Sequence, residues 1–134
     1  MMHMLDTNIC IYIIKKKPIS VFQKFESLSV GSVAMSLVTY GELELGALRS
    51  NNAKKALAIL DELAAYIPVL PMPTDTAKEY ADIRANLSAK GMPIGNNDLW
   101  IAAHTRALGH TLVTNNLKEF GRVENLKLDN WVLE

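Results

Sequence analysis

Short apolar runs and longer amphipathic stretches take turns along this chain, and that alternation limits the fold more than any single residue does. His3-Met4-Leu5 reads as a strand running into Asp6-Thr7-Asn8, whose side-chain oxygens suit the orphan backbone N–H groups of a helix start. Residues 9–14 are β-branched and strand-like by propensity. Lys15-Lys16-Lys17-Pro18 behind them is a helix ending, cations and then a breaker, so a helix is expected. Val21, Phe22, Phe25 and Leu28 have helical spacing, and residues 33–38 read as a buried second strand. Thr39 is expected to open a helix to about residue 48. An Ala- and Leu-rich helix over 53–65 and a short strand over 67–70, closed by Pro71 and Pro73, follow. Helices over 74–89 and from Asn96 or Asn97 to 108 end at Gly91 and Gly109, a strand covers 111–114, and a fifth lies at 126–128 or 131–133.

Strands alternating with helices imply parallel neighbours, because a parallel pair needs a crossover, and the crossovers are right-handed. The expected fold class is therefore α/β: a central, mostly parallel sheet of 4–5 short strands covered on both faces. The 134 residues, 49% hydrophobic and free of repeats or long linkers, suit one domain over 1–134 with one core. With 14 basic and 14 acidic side chains the formal charge is zero, so no general positive field advertises nucleic acid, and any such contact needs a local patch. Cys10 is the only cysteine and can form no intramolecular disulfide. The N-terminal segment lacks the length and flanks of a secretory signal, and its apolar run is too short to cross a bilayer, so a cytoplasmic protein without membrane contact is expected.

Three acids fall where such sheets bind ligands: Asp6, Glu42 and Asp98, each read at a strand-to-helix junction. Each has an ordinary explanation taken singly. Thr39-x-x-Glu42 fits a capping box, and Asp98 in a first helical turn gains about 0.3–1 kcal/mol from the helix dipole. Capping gives no reason for all three to converge. Carboxylates crowded at one sheet edge need a divalent cation to stay ionised together. The segment Thr114-Asn115-Asn116-Leu117-Lys118-Glu119 adds to them: Asn116-x-x-Glu119 is either a further cap or the completion of an oxygen-rich pocket, with the Thr114 hydroxyl orienting a carboxylate or a water. Hard oxygen donors suit Mg²⁺ or Mn²⁺. Zinc is disfavoured, since Cys10 has no thiol partner and His104 and His110 have no companion ligands at recognisable spacing.

Met4-Leu5-Asp6-Thr7-Asn8, Thr39-x-x-Glu42-Leu43, Asp98-x-x-Ile101-Ala102-Ala103 and Thr114-Asn115-Asn116-x-x-Glu119-Phe120 together resemble PIN-domain ribonucleases, in particular the VapC toxins of bacterial toxin–antitoxin pairs. The resemblance runs in order over essentially the whole chain. It implies a three-layer α/β/α PIN-like domain, Mg²⁺-dependent endonucleolytic cleavage of RNA, neutralisation by a VapB-type antitoxin and a homodimeric toxin. The expected substrate is tRNA, initiator tRNA among the targets, with operator DNA met only through the antitoxin. It makes Asp6 and Asp98 the direct metal ligands. Glu42 is left as ligand, holder of a water or base, Glu119 is a fourth catalytic acid, and Asn8, Thr114 and Asn116 are positioning groups. Many PIN domains carry aspartate at the fourth acidic position, whereas this chain offers Asn116 and Glu119.

RNA needs cations, and Arg84, Lys90, Arg106, Lys118 and Arg122 are expected to ring the site edge, with Lys15-Lys16-Lys17 either a second patch or a solvated helix end. Trp100 either stacks on a base or packs in the core or a dimer face, and the stripes Leu57-x-x-Leu60-x-x-Leu63 and Ile83-x-x-x-Leu87 face either the sheet or a protein partner. Three other classes compete. A phosphoreceiver would need an aspartate after the third strand, where Leu70-Pro71-Met72-Pro73 has none; a non-catalytic PIN-like interaction module would be expected to have lost one or more acids; a DNA-directed nuclease could use the same pocket.

Overall fold

A computed structural model describes residues 2–29 and 31–133. The chain runs β1 (His3–Leu5), α1 (Thr7–Lys15), α2 (Ile19–Ser27), β2 (Val33–Ser36), α3 (Leu37–Leu48), α4 (Ala53–Tyr66) and β3 (Val69–Leu70). It continues through α5 (Thr76–Ala89), α6 (Asn96–Leu108), β4 (Thr111–Val113), α7 (Leu117–Phe120) and β5 (Lys127–Asp129). The five strands form one sheet in the order β3-β2-β1-β4-β5, every pair parallel. The expected α/β fold is present, including the helix over 9–14 that strand propensity opposed. Lys16 closes that helix in the left-handed conformation at φ 58°.

Alternation along each strand divides the interior into two layers. Leu5, Val33, Met35 and Val113 join Ile9 and Ile13 of α1, Val21 of α2 and Leu60 and Leu63 of α4 on one face. Met4, Ala34 and Leu112 join Ile83 and Leu87 of α5, Leu99 and Ile101 of α6 and Phe120 on the other. The stripes of α4 and α5 thus turn mainly inward. Burial explains why so short a strand as β1 holds: both of its faces are covered, and Met4 and Leu5 are each 1% exposed.

The chain order places a switch point beside β1. From the centre it steps outward to β2 and β3, returns through the paired helices α5 and α6, and enters β4 on the other side of β1. The C-terminal ends of β1 and β4 therefore border the crevice where open α/β sheets bind ligands. The Asp6 N–H donates to the Val113 carbonyl at 3.0 Å, tying those two ends together.

Three local expectations are corrected. Ser36, not Thr39, caps α3: its side chain accepts from the Val38 N–H at 3.1 Å, and Thr39 lies inside the helix, fully buried. Gly95 occupies the cap position of α6 without a side-chain bond, so Asn96 and Asn97 are first-turn residues. Glu42 is consequently a mid-helix residue, and Asp98 arrives from the α5–α6 connection rather than from a strand.

One buried polar node locks these layers. The Nε2 of His104 lies 3.1 Å from the Pro71 carbonyl, which can only accept, so Nε2 carries the proton and Nδ1 accepts from the Ser36 hydroxyl at 2.8 Å. One ring thus joins α6, the cap of α3 and the segment leaving β3. Burial holds the His104 pKa below its ordinary 6.5, so the folded state takes up the second, charging proton less readily than the unfolded chain. Its contribution is complete above that value and is lost as pH falls below it. His104→Ala is expected to cost about 2–4 kcal/mol in chemical denaturation, through the cavity and two unpaired buried groups, and to flatten the loss of stability below pH 6.5.

Candidate active site

At the switch point Asp6, Asn8, Glu42, Asp98 and Asn116, together with Thr7 and Phe120, line one cleft of about 240 Å³. Asp6 is 6% exposed and does serve as a cap, its Oδ1 accepting from the Ile9 N–H at 2.9 Å. Burial raises its pKa against the hydrogen bonds from Thr114 and the Ile9 backbone, and the Glu42 charge raises it further. The buried Thr114 hydroxyl also accepts from the Asn116 N–H at 2.9 Å, so it ties the end of β4 to Asp6.

With Thr39 inside α3, the capping-box account of Glu42 fails. Instead Glu42 Oε1 accepts from the Thr7 hydroxyl at 2.5 Å, and Oε2 from the Asn97 amide at 3.4 Å. Thr7 and Asn97 thus aim Glu42, and neither was singled out from sequence as a site residue. Thr7 looked only like helix-start chemistry, and Asn97 only like a cap.

Asp98 and Glu119 form a carboxyl–carboxylate pair. Burial, the hydrogen bond shared with Glu119 and the charges of Glu119, Glu42 and Asp6 together push the Asp98 pKa up to about 7. Glu119 goes the other way. Burial opposes its ionisation, but the Gly95 N–H at 3.1 Å, the Asp98 proton, the Asn116 amide at 2.9 Å and the Arg122 charge hold it below its ordinary value. Asn116 also caps α7 through the Glu119 N–H at 3.3 Å, so the cap and pocket readings of this segment hold together. A Cβ at Gly95 would lie 3.7 Å from the Asp98 carboxylate and 3.9 Å from Glu119, against the wall of the site.

The donors are almost entirely oxygen, and the only described thiol, Cys10, is buried with its pKa pushed up. Burial, the bond to Glu119 and the neighbouring acidic charges together hold Asp98 protonated to about pH 7, and the charge part of that is the repulsion a hard divalent cation relieves, so these residues fit such an ion by their chemistry. Among the described residues no three acidic, histidine or cysteine side chains already converge on one point, so an ion held here would rest on fewer protein carboxylates, with water completing its shell.

The cation ring is smaller than expected. Arg106 is taken by Glu79 at 2.9 Å and Asp82 at 2.6 Å, where the C-terminal half of α6 meets α5, and Lys90 pairs with Glu124 at 2.7 Å. Lys16 lies 5.5 Å from the Phe22 ring centre at the end of α1. Trp100 is half-buried and stacks on Tyr80 at 3.9 Å.

The PIN domain family model matches residues 3–126. A Haemophilus influenzae protein named ribonuclease VapC2 is 39% identical over 130 residues, 97% of this chain and 98% of its own. The chain belongs to the VapC ribonucleases of the PIN-domain family. Another VapC, the Shigella flexneri tRNA(fMet)-specific endonuclease, is 42% identical over 96% of each chain. The VapBC2 complex of Rickettsia felis, solved with a DNA fragment from its promoter, contains a chain that superposes with a TM-score of 0.91 at 39% identity, over 98% of this chain and 100% of that one. The PIN fold expected from sequence is therefore the fold observed.

The raised Asp98 pKa has a measurable sign. The folded protein holds this proton more tightly than the unfolded chain, so its stabilising effect is full below the ordinary 3.8 and disappears as pH rises through about 7. In EDTA, Asp98→Asn, whose amide can still donate to Glu119, is expected to be more stable than the parent above about pH 7. After solvent screening the gain is on the order of 1 kcal/mol. It should vanish toward pH 3.8, and denaturation curves at the two pH values test both halves.

Proposed function

We propose that this VapC protein is a single-domain, Mg²⁺-dependent endoribonuclease that cuts tRNA, initiator tRNA among its targets, with Mn²⁺ able to substitute. The observation that carries the reading is the gathering of Asp6, Glu42 and Asp98 in one cleft, with Glu119 bonded to Asp98, where burial, that bond and the neighbouring charges push the Asp98 pKa up to about 7. In this reading Asp6 and Asp98 hold the cation, Glu42 assists as ligand or base, and Glu119 completes the acidic set. A divalent cation bound there lowers the pKa of water and stabilises charge on a phosphodiester in the transition state. The chain's own part is positional. Ile9 and Thr114 fix Asp6; Thr7 and Asn97 fix Glu42; Gly95 and Asn116 fix Glu119, whose ionised carboxylate can accept a proton from Asp98. Asn8, exposed at the mouth of the cleft, is suited to contact substrate. The name of the Shigella flexneri relative supports tRNA as the substrate.

A VapB-type antitoxin is the partner this reading requires. Between α1, α3 and α4 lies a largely apolar groove of about 350 Å³, lined by Ile11, Ile14, Leu43, Ala47 and Ile59, with Glu42 at its border. An antitoxin segment seated there lies next to the acids. Contact with operator DNA then falls to the antitoxin; the Rickettsia felis VapBC2 complex was solved bound to a promoter fragment. The toxin itself is proposed to be a homodimer acting in the cytoplasm. No helix among the described residues is long and apolar enough to cross a membrane.

The test is incubation of purified protein with tRNA and with single-stranded DNA, each with Mg²⁺ or EDTA. Cleavage of tRNA alone, abolished by EDTA, is expected. Cleavage of DNA instead would transfer the site to the rival nuclease class, and no cleavage of either would favour an interaction module. Asp6→Asn and Asp98→Asn are each expected to lower tRNA cleavage by more than the ~10–100-fold that loss of an outer-shell partner costs. Their circular dichroism spectra should remain those of the parent. Full activity in either would remove that residue from the site.

A further inference from the structure

A second cleft adjoins the acids, and nothing in the proposed chemistry uses it. It measures about 260 Å³, near the ~300 Å³ lower bound of small-ligand sites, and lies between α5, the α5–α6 connection and the start of α6. Its apolar lining is Pro93, Ile94 and Leu99, and its polar lining is Arg84, Ser88 and Asn96. Asn96 stands two residues before Asp98, and the Gly95 N–H between the two clefts donates to Glu119.

Of the five cations expected around the edge, the structure removes Arg106 and Lys90 by ion pairing. Arg84, Lys118 and Arg122 remain, with no carboxylate ion pair among the described residues, and of these Arg84 lines the second cleft. Arg122 donates to the Pro93 carbonyl at 3.0 Å and so supports the cleft wall. Arg84 is held differently. Its Nη1 donates to the Tyr80 hydroxyl at 2.5 Å, the Tyr80 hydroxyl donates to Asn96 Oδ1 at 3.1 Å, and the Tyr80 ring is clamped on Trp100. A long cationic side chain normally loses rotamer freedom on binding. Here the hydrogen bond and the guanidinium's place 5.9 Å from the Tyr80 ring centre already restrain it, while most of its donors remain for a ligand.

We propose that this cleft is a nucleotide subsite for the RNA strand flanking the scissile phosphate, in which Arg84 grips a backbone phosphate and Asn96 meets the edge of the adjoining base. The inference rests on the ribonuclease reading and deepens it. Tyr80 and Trp100 are positioning residues that hold Arg84 and Asn96 in place. Arginine suits the role because its planar fork matches two phosphate oxygens, which a lysine ammonium does not. A cleft whose exposed lining is mainly polar, with a cation at its rim, suits a nucleotide better than an apolar peptide.

The experiment uses the full chain and unfractionated tRNA. Cleavage is measured in Mg²⁺, and binding is measured on the Asp98→Asn background across a range of salt concentrations. Arg84→Gln is expected to raise KM and Kd about 10- to 100-fold, the loss that one charged hydrogen bond gives, with kcat within about twofold, as for uniform binding. It should also reduce the slope of log K against log salt by about one. Arg84→Lys should restore the slope but only part of the affinity. Ser88→Trp fills the cleft from an exposed position, leaves Arg84 and all four acids in place, and should raise KM similarly. Unchanged KM, Kd and salt slope in both Arg84→Gln and Ser88→Trp would overturn the subsite while tRNA cleavage by the parent leaves the ribonuclease reading intact. A changed oligomeric state in size exclusion with unchanged tRNA affinity would overturn it in favour of a face between two copies. A parent that binds tRNA without cutting it would instead overturn the ribonuclease reading, with the binding data still deciding the subsite.

Discussion

The position of β1 governs the molecule. A three-residue strand holds the centre of a five-stranded sheet because its neighbours on both sides are parallel to it and its two faces are buried in different layers. Parallel pairing sends every strand's C-terminus to the same edge, and the bond from the Asp6 N–H to the Val113 carbonyl closes the gap between β1 and β4 there. Asp6 and Thr114 become neighbours through that closure, although 108 positions apart in sequence. Glu42 and Asp98 are then brought in by helices, not by strands. Their placement depends on how α3 and α6 pack, which is why His104 joins the cap of one to the body of the other.

The cleft concentrates groups that a folded protein ordinarily keeps apart. Burial and mutual repulsion raise two of its carboxyls, and the chain limits the cost by sharing a proton between Asp98 and Glu119 and by giving Asp6, Glu42 and Glu119 each at least one donor. The repulsion left over is the driving force for a cation. A site built this way trades stability for affinity, a common arrangement where charge has to be managed during reaction.

Much of this was legible in the residues. Asp6 behind an apolar run, Asp98 in a first helical turn and the Asn116 to Glu119 spacing all mark residues that the fold brings together, and β1, α1, α4, α6 and β4 lie close to where patterning puts them. What sequence could not supply was long-range pairing. Thr39-x-x-Glu42 imitates a capping box in the letters, but Ser36 three residues earlier takes the cap, because β2 ends sooner than its apolar run suggests. The aim of Glu42 by Thr7 and Asn97 spans 35 and 55 residues and has no local signature. The cations were equally indistinct: Arg106 and Arg84 look alike in sequence, and only tertiary ion pairs with Glu79 and Asp82 tell them apart.

Glu42 borders two cavities, the acidic cleft on one side and the apolar groove of α1, α3 and α4 on the other. A chain segment in the groove that draws Glu42 toward itself competes with a cation for one carboxylate, whereas a segment that leaves Glu42 aimed at the cleft does not. In the first case occupancy of the two cavities is thermodynamically linked, and whatever factor the cation imposes on groove affinity, the groove occupant imposes on cation affinity. A single side chain of α3 would then make inhibition and metal loading opposite ends of one equilibrium.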